Sequence, residues 1–225
     1  MATQIPTTPF NDELYVKARK ARLDNLFLHV DRAALKGKTV LDLGCGTGEL
    51  GEAFVACGCN VISVDANPDY IEVVKARYPR RETHVLNLDA LEAGRFHDID
   101  IVLCFGLLYH LTRPTAFLGS LSMIADAIFL ETVVADTEEA VYQLVAETGP
   151  DQAPGGQGCR PSRPWIEMVM SSHGYEVRDI SSARANWGGE YPSIFDWEPR
   201  NDGVWMRGNT FLRKMFILER LPREP

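Results

Sequence analysis

Three apolar runs in this chain carry an acid at or near their ends. VLDLGCGTGEL places Asp42 just before Gly44, Gly46 and Gly48, VISVD ends on Asp65, and VLNLD ends on Asp89. Glycines at alternate positions let the backbone pass close to a bulky ligand and take positive φ. Asp42 can meet an ammonium. Asp65 stands 21 residues after Gly44, where an acid accepts hydrogen bonds from two ribose hydroxyls. Asp89 can accept from an exocyclic adenine amine. A phosphate suits the turn less well. The dinucleotide pattern GxGxxG needs a glycine where this chain has Glu49, and an acid at a helix start repels pyrophosphate. The P-loop lysine is absent. These residues describe a nucleoside with a cationic amino-acid tail.

A second group follows the fourth apolar run. CFGLLYHL sets Tyr109 and His110 after Gly106. An imidazole ordinarily titrates near about 6.5, so His110 is a candidate base for a hydroxyl or amine proton. Tyr109 can orient either reactant. Arg160, Arg163 and Trp165 stand beside Gly155, Gly156 and Gly158. They put a planar cation and an aromatic on a segment expected to be mobile, able to close over a site and bind an anionic group. Trp187, Trp197 and Trp205, with Tyr191 and Phe195, supply rigid walls of substrate-binding type. Arg19, Arg22 and His29 read as surface or packing groups. The cysteines at 45, 57, 59, 104 and 159 form no CxxC pair and read as free thiols, with no metal site expected.

Such groups need a scaffold that brings strand ends together. Residues 11–35 read as helical, with Leu14, Ala18, Arg22, Leu26 and His29 at spacings of three and four. Short apolar strands are predicted at 38–43, 60–65, 83–89, 98–106, 127–134, 175–181 and 211–220. Helices are predicted between them at 49–57, 67–78, 113–125 and 162–174. Alternation of this kind means a parallel sheet with helices on both faces. Two stretches break it, 147–164 and 183–209, and connections of that length are functional or disordered. Three tryptophans in the second argue against disorder and for a flap that either packs on the sheet or on a homodimer partner or faces the substrate. The 225 residues are 45% hydrophobic and 24% charged, with net charge −8. That balance suits a globular protein and offers no basic face for nucleic acid. No apolar run approaches the length of a membrane span. The N-terminus lacks a secretory pattern, so a cytoplasmic location is the expectation.

VLDLGCGTGEL, VISVDANPDYIEVVKARY, VLNLDAL and DIDIVLCFGLLYHL, in this order and spacing, resemble a class I S-adenosylmethionine (SAM)-dependent methyltransferase over roughly residues 38–134. The resemblance implies an α/β, Rossmann-like, seven-stranded, mostly parallel sheet with helices on both faces and an antiparallel last strand. It implies one domain overall, with a helical cap at 1–37 and a methyltransferase domain at 38–225 carrying insertions at 147–164 and 183–209. It further implies that Asp42, Gly44, Cys45, Gly46 and Gly48 frame the methionine end of SAM. Asp65 would hold the ribose, Ala66 would flank the adenine, Asp89 and Ala90 would edge it, and Phe105 would line the methyl side.

GLLYHL with RP, then FLETVV, also resembles the tRNA wobble-uridine carboxymethyltransferase branch, and RPSRPWIEMVMSSHGYEVRDI and RKMFILERL do so more loosely. That branch has an N-terminal domain that the residues ahead of the first strand cannot supply. Its basic group for a carboxylated SAM does not map onto this sequence. The Asn/Asp-Pro-Pro-aromatic run of base-amine methylating enzymes is missing as well. The expectation is methyl transfer from SAM to oxygen or nitrogen of a small, specialised-metabolite acceptor. A tRNA-modifying enzyme and a non-catalytic SAM-binding protein are the alternatives.

Overall fold

The computed structural model describes residues 9–147 and 155–222. Helix α1 (Glu13–Leu26) starts at Asp12, whose carboxylate accepts from the Leu14 amide at 2.8 Å. Its buried face is Ala18, Arg22, Asn25 and Leu26, so half of what it buries is polar. A βα alternation follows: β1 (Thr39–Leu43), α2 (Glu49–Val55), β2 (Asn60–Asp65), α3 (Pro68–Arg77), β3 (Glu82–Val85), β4 (Ile101–Phe105), α4 (Pro114–Ile124) and β5 (Ala127–Val133). α3 opens as its sequence predicts, on an Asn67 cap with Pro68 in the first turn. A hairpin of β6 (Tyr142–Ala146) and β7 (Gln157–Pro161) comes next, then α5 (Arg163–Ser172), β8 (Tyr175–Asp179), β9 (Ser193–Ile194), β10 (Met206–Arg207) and β11 (Thr210–Arg220).

Seven strands make the main sheet in the order β8-β11-β5-β4-β1-β2-β3. β1 to β5 run parallel, and β11 is antiparallel to both β5 and β8. The two-residue strands β9 and β10 pair with the start of β11. Side chains alternate between two cores, as a sheet covered on both faces requires. Val102 and Cys104 of β4 pack with Leu118, Leu121 and Ile166 of α4 and α5. Leu103 and Phe105 pack with Leu26 of α1 and Phe54 of α2. The strand order reverses between β1 and β4. The C-terminal ends of strands at such a switch point border a crevice where α/β proteins hold ligands.

Two expectations change. β3 stops at Val85, and Asp89 sits on a separate 3-10 turn, Leu88–Ala90. The stretch 147–164 is no irregular flap: its described part belongs to the β6–β7 hairpin and the start of α5, and residues 148–154 lie outside the described residues. The stretch 183–209 packs against the body, one of the alternatives expected of it, with Phe195 and Trp197 buried. Among the described residues no helix is long and apolar enough to cross a membrane.

Candidate active site

The turn after β1 is a backbone device. Gly44, Gly46 and Gly48 take φ of 68°, 53° and 87°, which L side chains resist. At Gly46 a methyl group would sit 3.0 Å from the Phe10 ring, and at Gly44 3.1 Å from Leu107. The Gly44 and Cys45 amides both donate to Val64 O, at 2.8 and 3.0 Å. Asp65 closes the turn: one oxygen accepts from Gly46 N at 2.9 Å, the other from Asn67 N at 2.8 Å. Burial raises its carboxyl above the usual range, against the pull of these amides. Each Asp65 oxygen keeps a free lone pair, so the residue retains capacity for ribose hydroxyls. Ala66 beside it is half-buried.

Other acids of this half are committed elsewhere. Asp42 lies beneath the turn, 1% exposed, facing Gly51 and Arg81 rather than the surface. Its Oδ2 has no hydrogen-bond partner, and burial pushes its carboxyl up to about 7. Glu49, read as repelling phosphate, is neutralised: Arg77 pairs with it and the Thr47 hydroxyl bonds it. The case against phosphate therefore rests on glycine spacing and Asp65, not on Glu49. Asp89 braces the loop after β4, accepting from Thr112 N at 2.8 Å, Arg113 N at 3.0 Å and the Thr112 hydroxyl at 3.1 Å. Ala90 is exposed. Burial pushes the Cys45 thiol well up, so its part in the turn is through backbone. Phe105 does not line the site; its side chain is in the core under α1. Left-handed glycines and the Asp65 carboxylate fit a cationic nucleoside such as SAM; Asp42, expected to meet its ammonium, is buried beneath the turn instead.

Across the cleft the site is made of charged side chains. His110, on a 3-10 turn after β4, places Nδ1 2.7 Å from Glu147 Oε2. The Glu147 side chain is 1% exposed and is flanked by Arg160, whose Nη2 is 2.9 Å from Oε1. That contact is an ion pair without good hydrogen-bond alignment, since Oε1 counts among the unbonded atoms. Burial alone would raise the Glu147 carboxyl; His110 and Arg160 hold it below the usual range instead. Arg160 also donates to Tyr109 O at 3.1 Å and stacks 4.2 Å from the Trp205 ring. Tyr109 lies 4.0 Å from the His110 ring, and its hydroxyl accepts from Arg213 Nη2 at 3.3 Å. Arg213 and Arg22 share Glu131, at 2.7 and 3.0 Å, and both lie over Trp187. Burial works against the Glu131 charge, and the two guanidiniums still hold its carboxyl below the usual range.

The hairpin reaches Tyr109 only because residue 158 is glycine. A Cβ there would fall 2.3 Å from Tyr109 O and 2.7 Å from the Glu147 carboxyl carbon. Gly158 thus serves close packing, not the mobility expected of it.

The structure brings together Tyr109, His110, Arg160, Trp187 and Trp205. It sets Arg163, Trp165 and Trp197 apart. Arg163 is on the outer end of α5, paired with Glu138. Trp165 and Trp197 are core residues, and Trp197 Nε1 donates to Arg213 O at 3.1 Å. Arg22, read as a surface or packing group, is a buried member of the cluster. Glu131, Glu147 and Arg213 went unread. The signal for Glu131 and Arg213 was a charge inside an apolar strand run; Glu147 carried no such signal.

The methyltransferase domain family matches residues 15–180. A ubiquinone biosynthesis O-methyltransferase of Coxiella burnetii is 30% identical over 162 residues, covering 65% of this chain and 67% of that protein. The enzyme of the same name from Hahella chejuensis is 28% identical over 125 residues, 51% of each chain. The mitochondrial one from Schizosaccharomyces pombe is 35% identical over 104 residues, 40% of this chain and 35% of that protein. This chain thus spans about half, or less, of these last two relatives. In fold it is similar to the N-terminal domain of EvdMO1, solved with S-adenosylhomocysteine (SAH) bound: TM-score 0.65, 15% identity, covering 92% of this chain and 81% of that one. It is similar as well to magnesium protoporphyrin IX methyltransferase from Synechocystis, solved with SAM bound: TM-score 0.59, 14% identity, covering 97% and 87%. Glycine turn, strand order and family match converge, and the chain belongs to the methyltransferase domain family as a class I SAM-dependent enzyme.

Proposed function

We propose that the protein methylates a hydroxyl oxygen of a small-molecule acceptor, with His110 as general base. The observation that carries this is the 2.7 Å contact between His110 Nδ1 and Glu147. A carboxylate held ionised only accepts, so Nδ1 carries the proton and Nε2 presents a lone pair. Nε2 is then the atom that takes the acceptor proton, and Glu147 stabilises the imidazolium that forms. His110 follows β4 and the glycine turn follows β1, neighbouring parallel strands whose C-terminal ends lie side by side, which supports a base near the cofactor turn. Asp65 and the turn at 44–48 would hold SAM, which supplies a methyl carbon on a cationic sulfur. Transfer from such a centre needs alignment more than a strong base, and Tyr109, fixed by Arg160 and Arg213, provides a rigid wall for it. The name O-methyltransferase borne by the relatives supports oxygen over nitrogen. No residue of the site points to a specialised metabolite rather than another small molecule.

Incubation with isotope-labelled SAM and a small-molecule extract, followed by mass spectrometry, tests this. Label in a hydroxylated small molecule is the expected result, lost in His110→Ala. Label appearing in RNA, or SAM binding with no SAH formed from any acceptor pool, would overturn it.

A further inference from the structure

Among the described residues, three strands longer than two residues leave an edge toward water. β3 and β8 end the main sheet and β6 ends the hairpin, each paired on one side only. The free side of β7 is buried instead, against Leu108 and Tyr109. An open edge offers unpaired amides and carbonyls to any other strand, and monomeric proteins blunt it with charge or proline. β3 (ETHV) carries Glu82 and His84, 2.7 Å apart. β8 (YEVRD) carries Glu176, Arg178 and Asp179. β6 (YQLVA) carries neither charge nor proline. Its apolar side chains meet water as well: Tyr142 and Leu144 are exposed, Leu144 by 51%, and so is Val141 just ahead of them.

The hairpin ladder fixes which backbone groups are open. Ser162 N donates to Val141 O and Glu147 N to Gly156 O, both at 2.9 Å. Tyr142 stands opposite Pro161 and Ala146 opposite Gln157. Bonded positions alternate along an antiparallel strand, so Gln143 and Val145 also turn toward β7. The amides and carbonyls of Tyr142, Leu144 and Ala146 therefore point to the open edge. A copy of the same strand, run antiparallel, matches all three at once when Leu144 faces Leu144. Centring the pair on Gln143 or Val145 would leave one of the three unmatched.

We propose that β6 is the contact of a homodimer: two copies of the chain pair antiparallel through this edge, with Leu144 on the two-fold axis and Tyr142 opposite the partner subunit's Ala146. A two-fold contact uses one patch twice, which a strand centred on a single residue supplies. The whole chain carries net charge −8, yet no like charges meet along this strand, and a large side chain lies across from a small one. One strand pair is a small interface, so the dimer is in exchange with the monomer. β6 runs directly into Glu147, and the pairing thereby holds the carboxylate behind His110 from a second side.

Sedimentation equilibrium of the full chain, over concentrations reaching the high micromolar range, tests this. The mass should rise from one chain toward two. Leu144→Lys sets two ammonium groups face to face and should weaken association about tenfold or more, whereas Val85→Lys on the β3 edge should leave it unchanged. Oxidative linkage checks the register. Cys57→Ser removes the one cysteine that is not buried. In that background Leu144→Cys should give a disulfide-linked dimer, because opposed Cα atoms at bonded positions lie about 5.5 Å apart. Tyr142→Cys should not, since its copy is about 13 Å away along the strand. A single-chain mass at every concentration, association untouched by Leu144→Lys, or linkage at 142 as ready as at 144 would overturn the proposal. If Leu144→Lys does not fold, the contrast between the two cysteine variants decides.

Discussion

At the ends of β1 and β2 the site is built of backbone; at the ends of β4, β5 and β11 it is built of charged side chains. The first half is local. Gly44, Gly46, Gly48 and Asp65 come from one β-turn-α-β unit, and their contacts with one another are amide to carboxylate. The second half is assembled from far apart, with Arg22 meeting Glu131 across 109 positions of sequence and Arg213 meeting Tyr109 across 104. A backbone site is fixed by φ and by glycine, so its ligand can change little. A site of paired charges can be retuned by a single substitution. Damage to the first half should therefore appear in cofactor affinity, and damage to the second in turnover and acceptor choice.

The sharpest way to break this division is His110→Ala. Turnover should fall by about 10²-fold or more, with SAH affinity by calorimetry unchanged; a matching loss of SAH affinity would merge the two halves. Gly158→Ala should follow closely. Its methyl would displace either Tyr109 O or Glu147, and a turnover loss of about 10²-fold is expected from the misplaced base. Asp65→Ala attacks the other side and should weaken SAM binding by about 1–3 kcal/mol, the scale of a lost charged hydrogen bond. Unchanged binding would remove Asp65 from the cofactor site.

Two smaller effects sharpen the contrast through pH. Glu147→Gln should lower turnover about tenfold with SAH affinity by calorimetry unchanged; full turnover in this variant would make Glu147 merely structural. Glu147 in the wild type is held below the usual carboxylate range, so its contribution to stability is present above that range and lost as pH falls through the lowered value. Asp42 has the opposite sign. With its carboxyl pushed up to about 7, the folded protein keeps a proton that the unfolded chain releases. Stability should fall as pH rises from about 4 to about 7 and level off above. Asp42→Asn should flatten that slope, read from denaturant midpoints at several pH values; a slope identical to wild type would place the titration elsewhere.

The contrast also explains what could be read without coordinates. Acids at strand ends and glycines that need positive φ are local rules, so β1, the turn and Asp65 were legible, as was the alternation that makes the sheet. Asp89 shows the limit: VLNLD reads as a strand to its end, but the chain leaves the sheet after Val85, and the carboxylate turns to Thr112 and Arg113. Tryptophans failed for another reason. A large aromatic suits a core as well as a ligand wall, and Trp165 and Trp197 went to the core while Trp187 and Trp205 did not. Arg22 could be read only as a surface or packing group, because the partner that makes it a packing group, Glu131, is distant in sequence. Glu131 itself, an acid inside AIFLETVV, was the clue that went unused.

The β6–β7 hairpin contributes no strand to the main sheet, yet it delivers Glu147 and Arg160. It leaves the body after β5 and rejoins it at α5, and its base is clasped where Ala135 bridges to Ser162. A segment attached in this way is a cassette. Its replacement between residues 135 and 162 should alter acceptor preference and leave the glycine turn after β1 untouched. Descendants of such a gene can therefore diversify their chemistry by exchanging one loop, with the glycine turn and His110 outside the exchanged segment.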